Sequence, residues 1–538
     1  MVRILHRELK GGSPMPEPAG ERHALTRRTL IAAAGATAAI GLAAGPARAG
    51  ASADPFTLGI ASGDPAPDGF VLWTRLATEP LADDGLGGMP ARAVDVQWEV
   101  AEDERFARVV RRGSEQAAPE LGHSVHVELA GLRPGREYFY RFRCGNHLSR
   151  TGRTRTAPAA GTLTSPLTMC LASCAAWEHG FYTAYRRIAE DDPDLVLHLG
   201  DYQYEFGHLG YPVLPGIARR VEGGETFTLA DYRRRHAQTK TDPDLQLAHS
   251  VAPWLVVWDD HEVDNNWADE HHEFWGDTEE FLERRRAAFQ AYYENMPLRR
   301  SSVPQGIDMQ LYRRVRWGAL ANLHMLDTRQ YRSDQACGGL LGPCGQESDP
   351  SRTLTGDEQE SWLLEGFRES RARWDLIGQQ VMMGRHDKLA GPLKVTDMDT
   401  WDGYTASRDR ITRGWVEAGV RNPVVLTGDI HEHYANDLKL DYDDPDAPVV
   451  GAELVTTSVT SNGDSAGEDF GGDPENPHIR FHDTMRGYVR TRVTSTELKA
   501  DFRVLPYVSR PYAPAETKAS FVVSDRVPGL QEASTFAR

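Results

Sequence analysis

Between Phe56 and about Pro158, apolar and polar residues alternate in short runs: F-V-L-W-T-R at 70–75, V-D-V-Q-W-E-V at 94–100, S-V-H-V-E-L at 124–129 and E-Y-F-Y-R-F-R-C at 137–144. A period of two puts alternate side chains on opposite faces and marks half-buried strands. Turn residues such as Gly131-Leu132-Arg133-Pro134-Gly135 separate the runs. Several short strands at this spacing predict a β-sandwich of roughly 100 residues, placed at 55–158. Tyr138 and Tyr140, just past the Leu-Arg-Pro-Gly turn, suit a fibronectin-like one. The region holds no cluster of His, Cys or carboxylates, so it is expected to be a scaffold or a wall of a site.

Thr156 to Gly161 reads as a linker, and the rhythm changes after it. Strands are predicted at Leu167 to Ser173, Leu195 to Leu199, Leu255 to Trp258, Ala321 to Leu326, Trp374 to Met383 and Val424 to Thr427. Helices are predicted at Tyr182 to Asp191, Thr278 to Asn295 and Arg408 to Ala418. Strands alternating with helices imply an α/β domain with ligands at the strand carboxyl ends. From Leu454 the pattern returns to β, with runs at Leu454 to Val459, Gly487 to Val493 and Leu498 to Val504; Asn462 to Pro477 is a Gly/Asp/Pro-rich loop. No internal repeat is present.

Composition narrows the class. With 538 residues, 40% hydrophobic and 26% charged, two globular domains are the natural reading. No internal apolar run reaches the roughly 18–20 residues of a membrane helix, so no stable membrane insertion is expected. Thr26-Arg27-Arg28-Thr29-Leu30-Ile31 is a twin-arginine pattern, followed by a small and apolar run and an Ala47-Arg48-Ala49 cleavage site. Residues 1–49 are therefore read as a signal peptide, with the twin-arginine translocation machinery as a transient partner and a secreted or cell-envelope exterior location. Removing those residues, with seven Lys/Arg and three Asp/Glu, takes the net charge from −18 to about −22. So acidic a surface excludes nucleic acid as a regulatory partner and argues against anionic membranes. Cys337 and Cys344 flank a Gly/Pro loop that a disulfide could close; Cys144 and Cys170 read as buried thiols or a long-range pair.

Four strand ends carry the candidate chemistry: T-M-C-L-A-S-C (168–174), G-D-Y-Q-Y-E (200–205), V-V-W-D-D-H-E-V-D-N-N (256–266) and V-L-T-G-D-I-H-E-H (425–433). Each alone has a plain explanation: a packed thiol, a helix cap, a solvated charge run, a turn with a surface histidine. All four follow apolar strands of the α/β region, where the carboxyl ends share one edge. A thiolate, a phenolate and carboxylates are anionic donors suited to a highly charged ion such as ferric iron. All-oxygen ligands suit a harder divalent ion. Two ions side by side form a template for displacement at phosphorus.

With L-D-T-R-Q-Y-R (326–332), G-Q-Q-V-M-M (378–383), F-T-L-G-I-A-S-G-D-P (56–65) and F-V-V (521–523), these motifs resemble the alkaline phosphatase D (PhoD) family. That family belongs to the calcineurin-like metallophosphoesterases. The resemblance implies a four-layer α/β/β/α metallophosphoesterase domain at 165–515, after the sandwich and before a C-terminal tail at 516–538. It implies Asp201 as a ligand bridging two metals, with Cys174, Tyr204 and His431 on iron. Asp260 and Asp429 would make an all-oxygen second site for calcium, in a dinuclear or larger Fe(3+)/Ca(2+) centre. It also implies two catalytic residues, His261, which contacts phosphate and helps the leaving group, and Arg329, which would grip phosphate. Arg329 is either a phosphate fork or a brace; Asn265, Asn266 and Gln380 could bind metal or phosphate, or cap loops. His433 is the alternative to His431.

The function expected is an exported phosphatase and phosphodiesterase, in which a metal-bound hydroxide attacks phosphomonoesters and phosphodiesters. A phospholipase D-type enzyme acting on phospholipid head groups is the alternative. From a different class, a surface binding protein with a vestigial metal site would require lost ligands, and no motif ligand is replaced by an apolar residue.

Overall fold

The computed structural model describes residues 53–533, apart from 165, 212–215, 274–277, 340, 343 and 468–473. The signal-peptide segment at 1–49 lies outside the described residues. Two sheets organise the chain. A ten-stranded sheet runs in the order Gln531–Glu532, Glu516–Ser524, Glu497–Leu505, Arg486–Val493, Leu167–Ala172, Leu195–Leu199, Trp254–Val257, Ile60–Ala66, Gly69–Arg75 and Ser124–Glu128. A seven-stranded sheet runs Arg313–Trp317, Ala321–Met325, Trp374–Gly378, Pro423–Thr427, Val449–Val455, His433–Lys439 and Ile479–Asp483.

The centre of each sheet is parallel. Leu195–Leu199 pairs in parallel with Leu167–Ala172 and Trp254–Val257, and Trp374–Gly378 with Ala321–Met325 and Pro423–Thr427. Such strands are covered on both faces, which is why they read as unbroken apolar runs. Alternate side chains sort between layers. Leu376, Val424 and Leu426 enter the core shared by the two sheets, while Ile377 and Val425 join Leu363, Phe367, Ile411 and Trp415 of the helices Asp357–Glu369 and Thr405–Glu417. Beside the ten-stranded sheet, Ala184, Tyr185, Leu245, Ala248, Phe289 and Tyr292 place the helices Thr183–Glu190, Pro243–Val251 and Thr278–Asn295 against the same core. The expected α/β/β/α order of layers is present.

The N-terminal β region packs as two layers, but one of them is shared. Val109–Ala117, Val94–Ala101, Glu137–Cys144, His147–Leu148 and Gly152–Arg155 form a five-stranded sheet. Its Val96, Val100, Tyr138, Tyr140 and Phe142 pack on Ile60, Phe70, Leu72, Val125 and Val127, whose strands are the far end of the ten-stranded sheet. Residues 516–532, expected as a tail, are instead strands of that sheet's other end. Glu516–Ser524 pairs antiparallel with Glu497–Leu505, and Phe521 and Val523 are buried. The strand expected at Trp374 to Met383 stops at Gly378, because Gln379 and Gln380 turn their amides into the protein to bond Val381 O, Thr427 Oγ1 and Leu326 O. Cys337 and Cys344 form a disulfide, while Cys144, Cys170 and Cys174 are free.

Candidate metal centre

The four strand ends meet where the parallel strands of the two sheets finish. Gly200 ends the Leu195–Leu199 strand at φ 108°, and a Cβ there would lie 2.4 Å from Asp259 Cβ, so only glycine lets the Asp201 and Asp259 loops touch. A Cβ on Gly428 would likewise meet Ser173 Cβ and Oγ at 2.9 Å. Past these contacts the backbone is bent the same way four times. Cys174 (φ 59°), Asp201 (φ 56°), Asp429 (φ 63°) and His431 (φ 62°) are all left-handed. Non-glycine residues hold that conformation at about 1–3 kcal/mol each, and they gather where a site over-determines the backbone.

The donors form an overlapping series. One ligand atom each of Cys174, Asp201 and His431 lie within 4.8 Å of one another; so do those of Asp201, Asp260 and His261, and those of Asp259, Asp260 and Asp429. Asp201 belongs to the first two groups and Asp260 to the last two. The series therefore runs from a sulfur- and nitrogen-bearing end to an all-oxygen end. Tyr204 joins the first end: its hydroxyl donates to Asp201 Oδ2 at 2.9 Å, lies 3.2 Å from His431 Nε2 and accepts from Ser461 Oγ at 2.6 Å.

Burial makes this arrangement unstable as anions alone. Asp201 and Asp429 are pushed well above the ordinary carboxylate range by loss of water and by neighbouring carboxylates. Burial raises Asp259 to about 7 against the pull of Arg329, and raises the Cys174 thiol and the Tyr204 phenol well above their usual values. Burial also lowers His431 to about 3, so its imidazole is neutral and able to ligate. Asp201 Oδ1, Asp259 Oδ2 and Asp260 Oδ1 are buried with no hydrogen-bond partner. Three carboxylate oxygens without a hydrogen-bond donor, amid thiol, phenol and imidazole, fit cations, whose charge would offset the repulsion; Arg329 Nη2, 3.8 Å from Asp260 Oδ1, offsets it in part.

The residues around the donors are as specific as the donors. Glu262 accepts backbone N–H groups from Asp201 (3.0 Å), Tyr202 (2.6 Å) and Asp259 (2.8 Å), tying two ligand loops to one carboxylate. Glu205 holds His261 Nδ1 at 2.8 Å and accepts Asn265 N at 2.9 Å. Burial alone would lower His261, but Asp260, Glu205 and Asp201 outweigh it and raise the imidazole well above its usual value. Sequence reasoning named Asp259, Glu205 and Glu262 only as letters in motifs. Their position at the strand ends was the available signal, but nothing in the spacing told ligand from support.

Other expectations resolve differently. Arg329 has its fork closed by Asp399 (2.9 and 2.8 Å) and its Nε on Asp259 Oδ1 (2.6 Å), with no exposed surface, which is the geometry of a brace. Gln380 accepts from Thr328 N and Oγ1 and donates to Leu326 O, so its side-chain amide is taken up by a strand end, and its backbone carbonyl accepts from Gly428 N at 2.9 Å beside Asp429. Asn266 donates its N–H to Asp260 Oδ2 at 2.8 Å. His433 is outside the ligand groups: Thr457 N donates to its Nδ1, and its Nε2 lies 3.3 Å from Arg503 O. Beside the all-oxygen end, a cleft of about 470 Å³ is lined by Asn266, Glu273, Asp334, Gln335 and Asp399 among others.

Against known proteins, residues 169–502 match the family model "PhoD-like phosphatase", and residues 41–158 match "PhoD-like phosphatase, N-terminal domain". The chain is 48% identical over 488 residues to alkaline phosphatase D of Bacillus subtilis (strain 168), covering 90% of this chain and 83% of that protein. A solved structure described as "Structure of PhoD" superposes with a TM-score of 0.86 at 47% identity, covering 90% of this chain and 93% of that one.

Proposed function

The chain belongs to the PhoD-like phosphatase family, and from that premise we propose that it is an exported, metal-dependent hydrolase of phosphomonoesters and phosphodiesters. The observation that carries this reading is the series of ligand groups joined through Asp201 and Asp260, with buried carboxylate oxygens that no protein donor satisfies. Fe(3+) is assigned to Cys174, Tyr204, His431 and Asp201, where thiolate and phenolate are strong anionic donors. Ca(2+) is assigned to Asp259, Asp260 and Asp429, an all-oxygen set. When bound, such cations activate water and neutralise charge on the phosphoryl oxygens.

The side chains then divide the work. Asp201 spans the two ends and keeps their separation constant. His261 Nδ1 is committed to Glu205, so its Nε2 faces the substrate and hands a proton to the departing alcohol oxygen. Glu205, outside the ligand groups, favours the protonated ring, the form an acid catalyst needs; Asp260 and Asp201 add to this only where no cation neutralises them. Glu262 and Arg329 position Asp201 and Asp259 and do not touch substrate. The twin-arginine segment supports export of the folded protein, outside the described residues.

The test combines a visible spectrum, elemental analysis and two substrates. The expected result is a charge-transfer band with iron and calcium in the purified enzyme, and loss of both metal and turnover in Asp201→Asn. A colourless protein carrying zinc would overturn the metal assignment, and a fully active Asp201→Asn enzyme would overturn the site. Rates on p-nitrophenyl phosphate and its bis-ester measure the balance of monoester and diester activity.

A further inference from the structure

Gln335 lies outside every sequence motif, yet its side chain reaches both supports of the all-oxygen end. Its Nε2 donates to Asn266 O at 2.6 Å and to Asp399 Oδ1 at 2.8 Å. Asn266, left-handed at φ 51°, donates its own N–H to Asp260 Oδ2 at 2.8 Å. Asp399 closes the Arg329 fork, whose Nε holds Asp259 Oδ1 at 2.6 Å. One amide thus stands behind both Asp259 and Asp260, through a backbone path to one and a guanidinium path to the other. Asp259 Oδ2 and Asp260 Oδ1 accept no hydrogen bond, although Asp260 Oδ1 lies 3.8 Å from Arg329 Nη2, and both residues belong to one candidate ligand group.

Two features keep the amide in place. The Cys337–Cys344 disulfide closes a ring two residues further on, and Gln335 itself forms part of the cleft wall beside the centre. Buried carboxylates left free to turn would separate under mutual repulsion, so a fixed pair binds a divalent ion more tightly than a mobile one.

We propose that Gln335 is a positioning residue for the all-oxygen half of the metal centre, setting its divalent-cation affinity by fixing Asp259 and Asp260 together. This rests on the two-metal reading above. A partner that acts through ligands in this way is worth roughly 10–100-fold in metal affinity.

The experiment is calorimetric titration of chelator-treated protein with Ca²⁺, comparing wild type with Gln335→Met, which keeps length but loses the donor, and Gln335→Glu, which adds a charge facing Asp399. The expected result is a roughly 10–100-fold weaker Ca²⁺ Kd in both variants, with bound iron and the melting temperature of the Ca²⁺-free protein unchanged. Wild-type Ca²⁺ affinity in either variant would overturn the inference alone. Equal loss of iron and of Ca²⁺-free stability would reduce Gln335 to a folding role and overturn it as well. A wild-type protein that takes up no Ca²⁺ would overturn both the inference and the calcium reading beneath it.

Discussion

His261 sits between two demands, and its surroundings decide which it meets. Burial disfavours charge, while Asp260, Glu205 and Asp201 raise the pKa of the ring in the metal-free protein, and of these Glu205 alone stands outside the ligand groups. Glu205 at 2.8 Å also fixes which nitrogen is free. A proton donor matters in proportion to how poor the leaving group is. His261→Asn should therefore lose roughly 10²–10⁴ in kcat on an alkyl phosphate ester and much less on p-nitrophenyl phosphate, whose phenolate leaves unaided. Equal losses on both substrates, measured in steady state, would assign the ring to phosphate binding. Gly200 shows the same economy of placement, since a side chain of even one carbon would collide with Asp259 and part the two ligand loops.

Elements differ in how openly they announce themselves. The helix Leu229–Lys240 buries Arg233, Arg235, His236, Gln238 and Lys240 along with Tyr232 and Ala237, so it has no apolar stripe to read. Its start is nevertheless written locally: Thr228 and Asp231 form a capping box. The strand Glu516–Ser524 is the opposite case, a short alternation around the F-V-V motif that becomes structural by pairing with Glu497–Leu505. Phe521 there packs near Phe502 and Phe481, with ring centroids 6.0 and 6.1 Å apart. Phe521→Ala should cost about 3–5 kcal/mol in urea unfolding, the range for a buried aromatic. A chain ending at residue 515 should fail to fold. A loss under ~1 kcal/mol would mean that this strand adds nothing to the sheet.

For the molecule as a whole, the buried carboxyls of the proposed metal centre are a stability liability that bound cations would offset. Asp259 at about 7 and Glu262 at about 8 are raised chiefly by burial, and burial raises Asp201 and Asp429 as well. An unfolded carboxyl titrates near ~4, so between about 4 and 8 the folded metal-free chain binds more protons than the unfolded one. The contribution of these four groups is therefore fully present below about pH 4 and is lost as pH rises towards 8, whereas the depressed carboxyls Asp260 and Asp399 act the other way at lower pH. Bound cations stabilise the ionised forms and cancel the fall. Melting temperatures of chelated protein should drop from pH 5 to pH 8, while those of the metal-loaded protein stay level. Parallel curves would show that these carboxyls are not the groups that titrate.

The resemblance to the PhoD family named most of the candidate donors, and Cys174, Asp201, Tyr204, Asp260, Asp429 and His431 all come together; the sequence by itself determined the alternation of strands and helices and the strand ends that carry them. It could do so because buried parallel strands are unbroken apolar runs and ligands must follow where such runs stop. Only the tertiary structure decided that the N-terminal strands Ile60–Ala66, Gly69–Arg75 and Ser124–Glu128 extend the same sheet as Leu195–Leu199. It alone put Arg329 against Asp399 as a brace, and gave Glu262 the backbone amides of Asp201 and Tyr202 and Gln335 the two partners Asn266 and Asp399. Those roles depend on partners 60 to 70 residues away, as Glu262 to Asp201, Gln335 to Asn266 and Arg329 to Asp399. No local spacing encodes a contact that exists only after the loops have been folded onto one edge.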